Sequence, residues 1–347
     1  MRTKGLWIGL LAWGGVAFGA FGGEEGLPPV IRIAIVRGAA TFDEALRAVC
    51  AHEYHGTVRV MSQGERAWAA VNVLDVEDYL LGVIGREMDP TGPLEALKAQ
   101  AVAARTHALF QTIASRDRPY DLVADLSQAY RGKTALHKNV VLALEATRGE
   151  VLQYGGLLFP AFFHSDCGGR TESAAAIWPI ANPFDRGGVL KMPGGVLCPW
   201  CEKSAAVRWS CEMSASALRK AFRDAGAPIE GPMSLRVAER SSSGRVLKVV
   251  VGTGKEEKTF SGERLRAILG WSVLKSARFT FERPRLSDGS AGEHVIFRGS
   301  GYGHGVGLCQ RGTRGMALQG SKYREILAYY FPKAKIGAAG VRVARAR

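Results

Sequence analysis

The sequence predicts an α+β fold, two-lobed, with a central alanine-rich helix and a smaller inserted α/β lobe, the two lobes forming a cleft. Three observations predict it. A run of strong helix formers from Leu94 places alanine at 96, 99, 101, 103, 104 and 108, and a helix clad in alanine on several faces belongs at the centre of a domain. Short alternating or β-branched runs lie on both sides of that helix. From Trp209 to Phe281 the composition shifts to a plain succession of strands and helices, which reads as an inserted lobe. The 347 residues suffice for two cores. The expected plan is a leader over 1–23, a core over 24–203, the inserted lobe over 204–292 and a return to the core over 293–347.

Taken in order, the first residues read as an export signal: basic Arg2 and Lys4, an apolar run from Leu6 to Phe21, then Glu24 and Glu25. An uncleaved anchor is the alternative, and it is the one expected membrane contact, since no later stretch resembles a span. The protein is therefore expected outside the cytoplasm, in the cell envelope. Val30–Val36, Thr57–Met61 and Trp68–Val73 read as strands, with a helix over Phe42–His52 between the first two. Cys50, in that helix, reads as a buried apolar residue. A short strand or turn is expected at Asp78. Pro93 suits the first position of the long helix and Glu95 its first turn. A second helix follows over Lys138–Thr147, then a hairpin turning at Gly155-Gly156. In the inserted lobe, Ala215–Ala225 and Gly262–Leu269 read as helices and Leu235–Val237 and Val246–Val251 as strands. Tyr323–Tyr330 is the last helix, and a basic tail ends the chain.

The formal charge of +14 points to an anionic partner such as a wall polymer or membrane surface. The basic residues are scattered and no aromatic-basic motif accompanies them, which argues against nucleic acid. Six cysteines are too few for a disulfide framework in a chain this long.

Three constellations carry chemistry. Glu87, between apolar Val83, Ile84 and Met88 at the head of the long helix, is placed for desolvation to raise its pKa, as a general acid requires. A structural pairing with Arg86 or Lys98 is the alternative. His164-x-x-Cys167 and Cys198-x-x-Cys201 are two pairs at zinc-like spacing, with a Cys198–Cys201 disulfide as the competing reading in an oxidising compartment. The glycines at 299, 301, 303, 305 and 307 surround His304 and permit unusual backbone angles and close approach to a ligand. No Lys-Ser/Thr ending follows them, so they are not a phosphate loop.

The motifs YLLGVIGREM, EALKAQAVAARTHAL, SQAYRG, FHSDCGGRTESAAAIW and SGYGHGVGLCQRGTRGMA, in this order, resemble the SpoIID/LytB family of bacterial envelope proteins, from about Gly56 to Pro332. The resemblance implies that Glu87 is the catalytic acid of a lytic transglycosylase. Such an enzyme cleaves the bond between N-acetylmuramic acid (MurNAc) and N-acetylglucosamine (GlcNAc) in peptidoglycan glycan strands, on glycan already stripped of stem peptides. It also implies a substrate-binding set of Lys98, Gln100, Arg105, Ser165, His304 and Gln310, and a structural zinc on His164, Cys167, Cys198 and Cys201. Some relatives act as modifiers of a wall amidase, so a non-catalytic partner of such an enzyme is the alternative. The chain departs from common family forms at Asp89-Pro90, at His107 where tyrosine is usual, and at Phe163 in place of tyrosine.

Overall fold

Ile31 and Ile33 bury one side of β1 (Val30–Ala39), the first strand of the described chain, and Ala34 is buried on the other. The structure, a computed structural model, describes residues 30–64, 67–124, 128–133, 135–178, 194–202, 208–229, 233–252, 256–283 and 294–339. The expected leader and basic tail lie outside them. Two units are formed: one takes the chain up to Phe162, Gly320–Ala328 and the stretch from Lys333, the other Phe163–Gln319 and Tyr329–Pro332.

In the first unit, α1 (Phe42–Cys50) starts at a Thr41 cap whose hydroxyl accepts the Glu44 amide, while Glu44 reaches back to the Ala40 amide. Cys50 ends it on the solvent side, exposed, which corrects its reading as a core residue. The helix turns Ala45 and Val49 inward, and that period leaves Cys50 on the outer face. β2 (Thr57–Ser62) and β3 (Trp68–Asp75) complete an antiparallel ladder with β1. The expected strand or turn at Asp78 is instead a helix, α2 (Val76–Leu81), because Asp75 caps it through the Glu77 amide. α3 (Ile84–Glu87) is one turn.

α4 (Leu94–Ala114) is the long helix, with 96 to 110 buried nearly throughout. Pro93 precedes it as the cap in an extended conformation (φ −59°, ψ 132°), one residue outside the position expected. β4 (Leu122–Val123) joins β1 in parallel at the other edge, giving the order β2-β3-β1-β4. α5 (Lys138–Ala146) and the hairpin β5 (Glu150–Tyr154) and β6 (Leu157–Leu158) follow as expected.

The second unit begins at Phe163, well before the expected boundary at 204. β7 (Phe163–His164) opens it, followed by α6 (Ala174–Ile177) and α7 (Pro199–Glu202). β8 (Arg208–Ser214), α8 (Ala215–Asp224), β9 (Ser234–Arg240), β10 (Val246–Gly252), β11 (Glu257–Ser261), α9 (Gly262–Leu269), β12 (Phe279–Glu282) and β13 (His294–Ser300) make two three-stranded sheets with two helices. Leu218 and Phe222, one turn apart on α8, pack with Val249, Val251, Leu265 and Phe297 in its core. β14 (Leu308–Cys309) pairs in parallel with β7, Leu308 against Phe163 and Cys309 against His164. That pairing is why the His164 and Gly-rich loops belong to this unit. α10 (Gln310–Leu318) continues directly from β14.

α11 (Tyr323–Tyr330) begins in the first unit, and β15 (Lys335–Ala338) pairs antiparallel with β5 there.

Candidate functional site

Val83 and Ile84, fully buried, root the α3 turn, and Met88 leaves it in an extended conformation. This sets the half-buried Glu87 carboxylate against the Gln128–Gly132 segment, where its Oε1 accepts the Ala129 amide at 2.7 Å. Gln128 lies beside it. The Gln128 Oε1 accepts the Tyr79 hydroxyl at 2.5 Å, and its Nε2 donates to the Ala104 carbonyl of α4 at 3.1 Å. Burial first, and the Glu87 charge second, push the Tyr79 phenol well above its ordinary pKa, so Tyr79 remains a hydroxyl that donates to Gln128. Gly82 allows this approach, since a Cβ there would come within 2.7 Å of the Gly132 carbonyl and 2.8 Å of the Tyr130 ring. The Gln128–Gly132 part of the SQAYRG run thus backs Glu87. Tyr79, Gln128 and Ala129 are the residues that reading the sequence missed; the signal was the motif itself, in which neither Gln128 nor Ala129 carries an ionisable group to draw attention.

The three α4 residues expected around Glu87 have separate surroundings. Lys98 pairs with Glu95 at 2.7 Å, one turn away on the same helix. Gln100 is fully buried, and neither amide atom has a hydrogen-bond partner among the described residues. Arg105, also fully buried, forks onto both carboxylate oxygens of Glu77 at 2.8 and 2.9 Å and donates to the Glu150 carbonyl. A buried bidentate pair of this kind clamps α4 to α2, a structural task.

In the second unit, Cys167 after β7, Cys198 and Cys201 at α7 and Cys309 on β14 place four Sγ atoms within 4.8 Å of one another, all fully buried. Cys201 lies 3.5 Å from Cys198 and 3.1 Å from Cys309, sulfur to sulfur, and all four are free thiols. Thiolates about 2.3 Å from a tetrahedral zinc stand roughly 3.8 Å apart, so this spacing suits that ion. Donors converge on the sulfurs: the Cys167 and Gly312 amides on Cys309, at 3.3 and 3.4 Å, and the Tyr330 hydroxyl 3.2 Å from Cys198. Hydrogen bonds from Cys167, then Cys201 and Cys309, hold the Cys198 thiol below its ordinary range, while burial raises Cys309.

His164 is not in the cluster. Its Nδ1 donates to the Val306 carbonyl at 3.1 Å, and Cys309, its partner across the β7–β14 pair, supplies the fourth sulfur. Neighbours in a strand pair point their side chains to one side, but Cys309 is distant in sequence and forms no short-spaced pair. Burial, aided by the Arg245 charge, pushes the His164 imidazole down to about 3.

The Gly-rich loop is bound by protein at close quarters. His304 donates through Nε2 to the Phe163 carbonyl and accepts the Val306 amide at Nδ1, both at 3.0 Å. Both ring nitrogens are thereby used, in one neutral tautomer, and burial drives its pKa well below the ordinary value. Gly305, at φ +83°, leaves room for the buried Arg245, which donates to the Arg170 and Cys167 carbonyls; a side chain at 305 would overlap that guanidinium. Gln310 is buried at the start of α10, and Ser165 is exposed while its carbonyl accepts the Arg311 amide.

Comparison with known proteins gives two family matches: a stage II sporulation protein family (SpoIID) over residues 64–154 and a domain of unknown function over 201–307. The stage II sporulation protein D of Bacillus amyloliquefaciens is 30% identical over 286 residues, 78% of this chain and 76% of that protein. An uncharacterized protein of Brachyspira hyodysenteriae is 31% identical over 282 residues, 80% of this chain and 71% of that one. The amidase enhancer of Bacillus subtilis is 27% identical over 303 residues, covering 73% of this chain and 39% of that protein.

Proposed function

Because the chain belongs to the SpoIID family, we propose that it is an exported cell-wall enzyme, a lytic transglycosylase that cleaves the MurNAc–GlcNAc bonds of peptidoglycan glycan strands with Glu87 as its single acid/base. The observation that carries this reading is the anchoring of Glu87 by the Ala129 amide. A backbone amide donating to Oε1 orients the carboxyl group, as a general acid needs. Protonated Glu87 gives its proton to the glycosidic oxygen as that bond breaks and an oxocarbenium-like charge develops at C1. The resulting carboxylate then takes the proton of the C6 hydroxyl as that oxygen attacks C1, closing a 1,6-anhydro ring. One carboxyl serves both steps, so no glycosidase-type pair is required.

The four-cysteine cluster we read as a structural zinc site. Four protein thiolates fill a tetrahedral ion and leave no position for a reacting water, so the metal would hold the Cys167, Cys198 and Cys309 segments together.

A second reading, a non-catalytic wall protein that stimulates an amidase, is favoured by the likeness to an amidase enhancer. Digestion of amidase-treated peptidoglycan separates the two. The wild type is expected to release fragments with anhydro-muramyl ends and Glu87→Gln none, a loss of at least about a hundredfold. Binding and amidase stimulation without any cleavage by the wild type would transfer the assignment to the second reading.

A further inference from the structure

α9 of the second unit ends in a glycine cap, Gly270 at φ +102°, whose amide donates to the Arg266 carbonyl. Trp271 follows, and its indole lies over the Arg266 guanidinium at 4.6 Å from the ring centroid. Arg266 is itself buried and fully committed: it donates to the carbonyls of Leu274 and Lys275, each at 2.8 Å, and pairs with Glu263. The cation covers one face of the ring, and Trp271 is still 51% solvent-exposed.

The Lys275 carbonyl that receives Arg266 also receives the Gly303 amide at 2.8 Å, and Ser276 bridges to Gly303. The Gly-rich loop is thereby pinned beside the turn that carries Trp271. Its exposed residue at that point is Tyr302, 48% accessible and within electrostatic reach of Arg266. Neither the indole N–H nor the phenol hydroxyl has a hydrogen-bond partner among the described residues, and exposed Lys275 has no acidic partner there. A helix cap needs one apolar contact behind it. It does not need a second large aromatic ring on the neighbouring loop, or two unused donors.

We propose that Trp271 and Tyr302 form a stacking shelf for the pyranose rings of a peptidoglycan glycan strand, with Lys275 supplying a cation for the lactyl carboxylates of that strand. Rigid aromatic rings with a polar tip combine apolar area with hydrogen bonding. The C–H faces of β-linked sugars meet the rings, while acetamido and hydroxyl groups take the free donors. A glycan stripped of stem peptides carries one carboxylate per disaccharide, which gives the charge complement. The proposal rests on the wall-glycan reading above, but on binding alone and not on cleavage.

The test is binding of soluble, amidase-treated glycan strands to full-length protein carrying Glu87→Gln, so that no turnover intervenes. Adding Trp271→Ala and Tyr302→Ala together is expected to weaken binding about tenfold or more, with Trp271→Tyr retaining most of it. Lys275→Gln is expected to weaken the anionic strand but not a neutral chitin oligosaccharide. Thermal melting at the parent's midpoint shows that the variants are folded. A double alanine variant that binds as the parent does overturns the shelf, as does equal loss in Trp271→Tyr. Cleavage by the wild type is scored separately: if it fails while binding still depends on the two rings, the transglycosylase reading falls and the shelf stands.

Discussion

At the scale of single residues, His107 shows how burial sets the behaviour of a group. It sits inside α4 against Phe162, ring centroids 5.5 Å apart, and burial lowers its pKa to about 4. An unfolded histidine takes its proton near 6.5. The unfolded chain therefore binds more protons between those values, and stability falls as pH drops from about 6.5 to about 4. His107 contributes a loss on the order of 3 kcal/mol across that window. His107→Phe is expected to flatten the fall in melting temperature over it, and superimposable profiles for the two proteins would remove His107 from the acid response. Glu87 was legible in the sequence because an acid among apolar neighbours is conspicuous. Tyr79 and Gln128 were not, because their importance comes from the hydrogen bonds that link Tyr79 to Gln128 and Gln128 to α4.

At the scale of elements, the thiol cluster gathers the loop after β7, the α7 turn and β14. The Cys198-x-x-Cys201 turn was visible as a local spacing, and its geometry is local too: the Cys201 amide returns to the Cys198 carbonyl at 3.1 Å. Cys309 and the exclusion of His164 were not visible, because both follow from the parallel pairing of two strands far apart in sequence. If the cluster holds a metal, purified protein contains about one zinc per chain. Cys309→Ser then loses most of it, and chelation at neutral pH lowers the melting temperature of the wild type by several degrees. Elemental analysis that finds no metal, together with alkylation of all four thiols in the native protein, would dispose of the site. The Gly-rich loop was legible as a special backbone, yet its glycines accommodate Arg245 and His164. Sequence shows that a backbone needs room; it does not show which group occupies it.

For the whole molecule, the formal charge of +14 is a long-range property that no single residue carries. Attraction to an anionic glycan is screened within about 10 Å at 0.1 M salt and about 3 Å at 1 M. Binding to peptide-free glycan strands is therefore expected to fall several-fold between 0.05 and 0.5 M salt, while binding to a neutral chitin oligosaccharide changes little. Equal salt responses for the two ligands would mean that net charge has no part in recognition. Among the described residues no helix is long and apolar enough to cross a membrane.

What the sequence by itself determined is what local physics writes into short windows: the α+β class, the first three strands, the hairpin, the helices α1, α4, α5, α8, α9 and α11, the burial of an alanine-clad helix, and the conspicuous Glu87 and Cys-x-x-Cys. Only the tertiary structure decided that Arg105 is spent on Glu77, that Cys309 joins the other three thiols, that both nitrogens of His304 hold its own loop, and that Arg266 and the Gly303 amide share the Lys275 carbonyl. Each of these depends on which distant segments pack together, and the free energy of such packing belongs to pairs of segments that no single stretch of sequence contains.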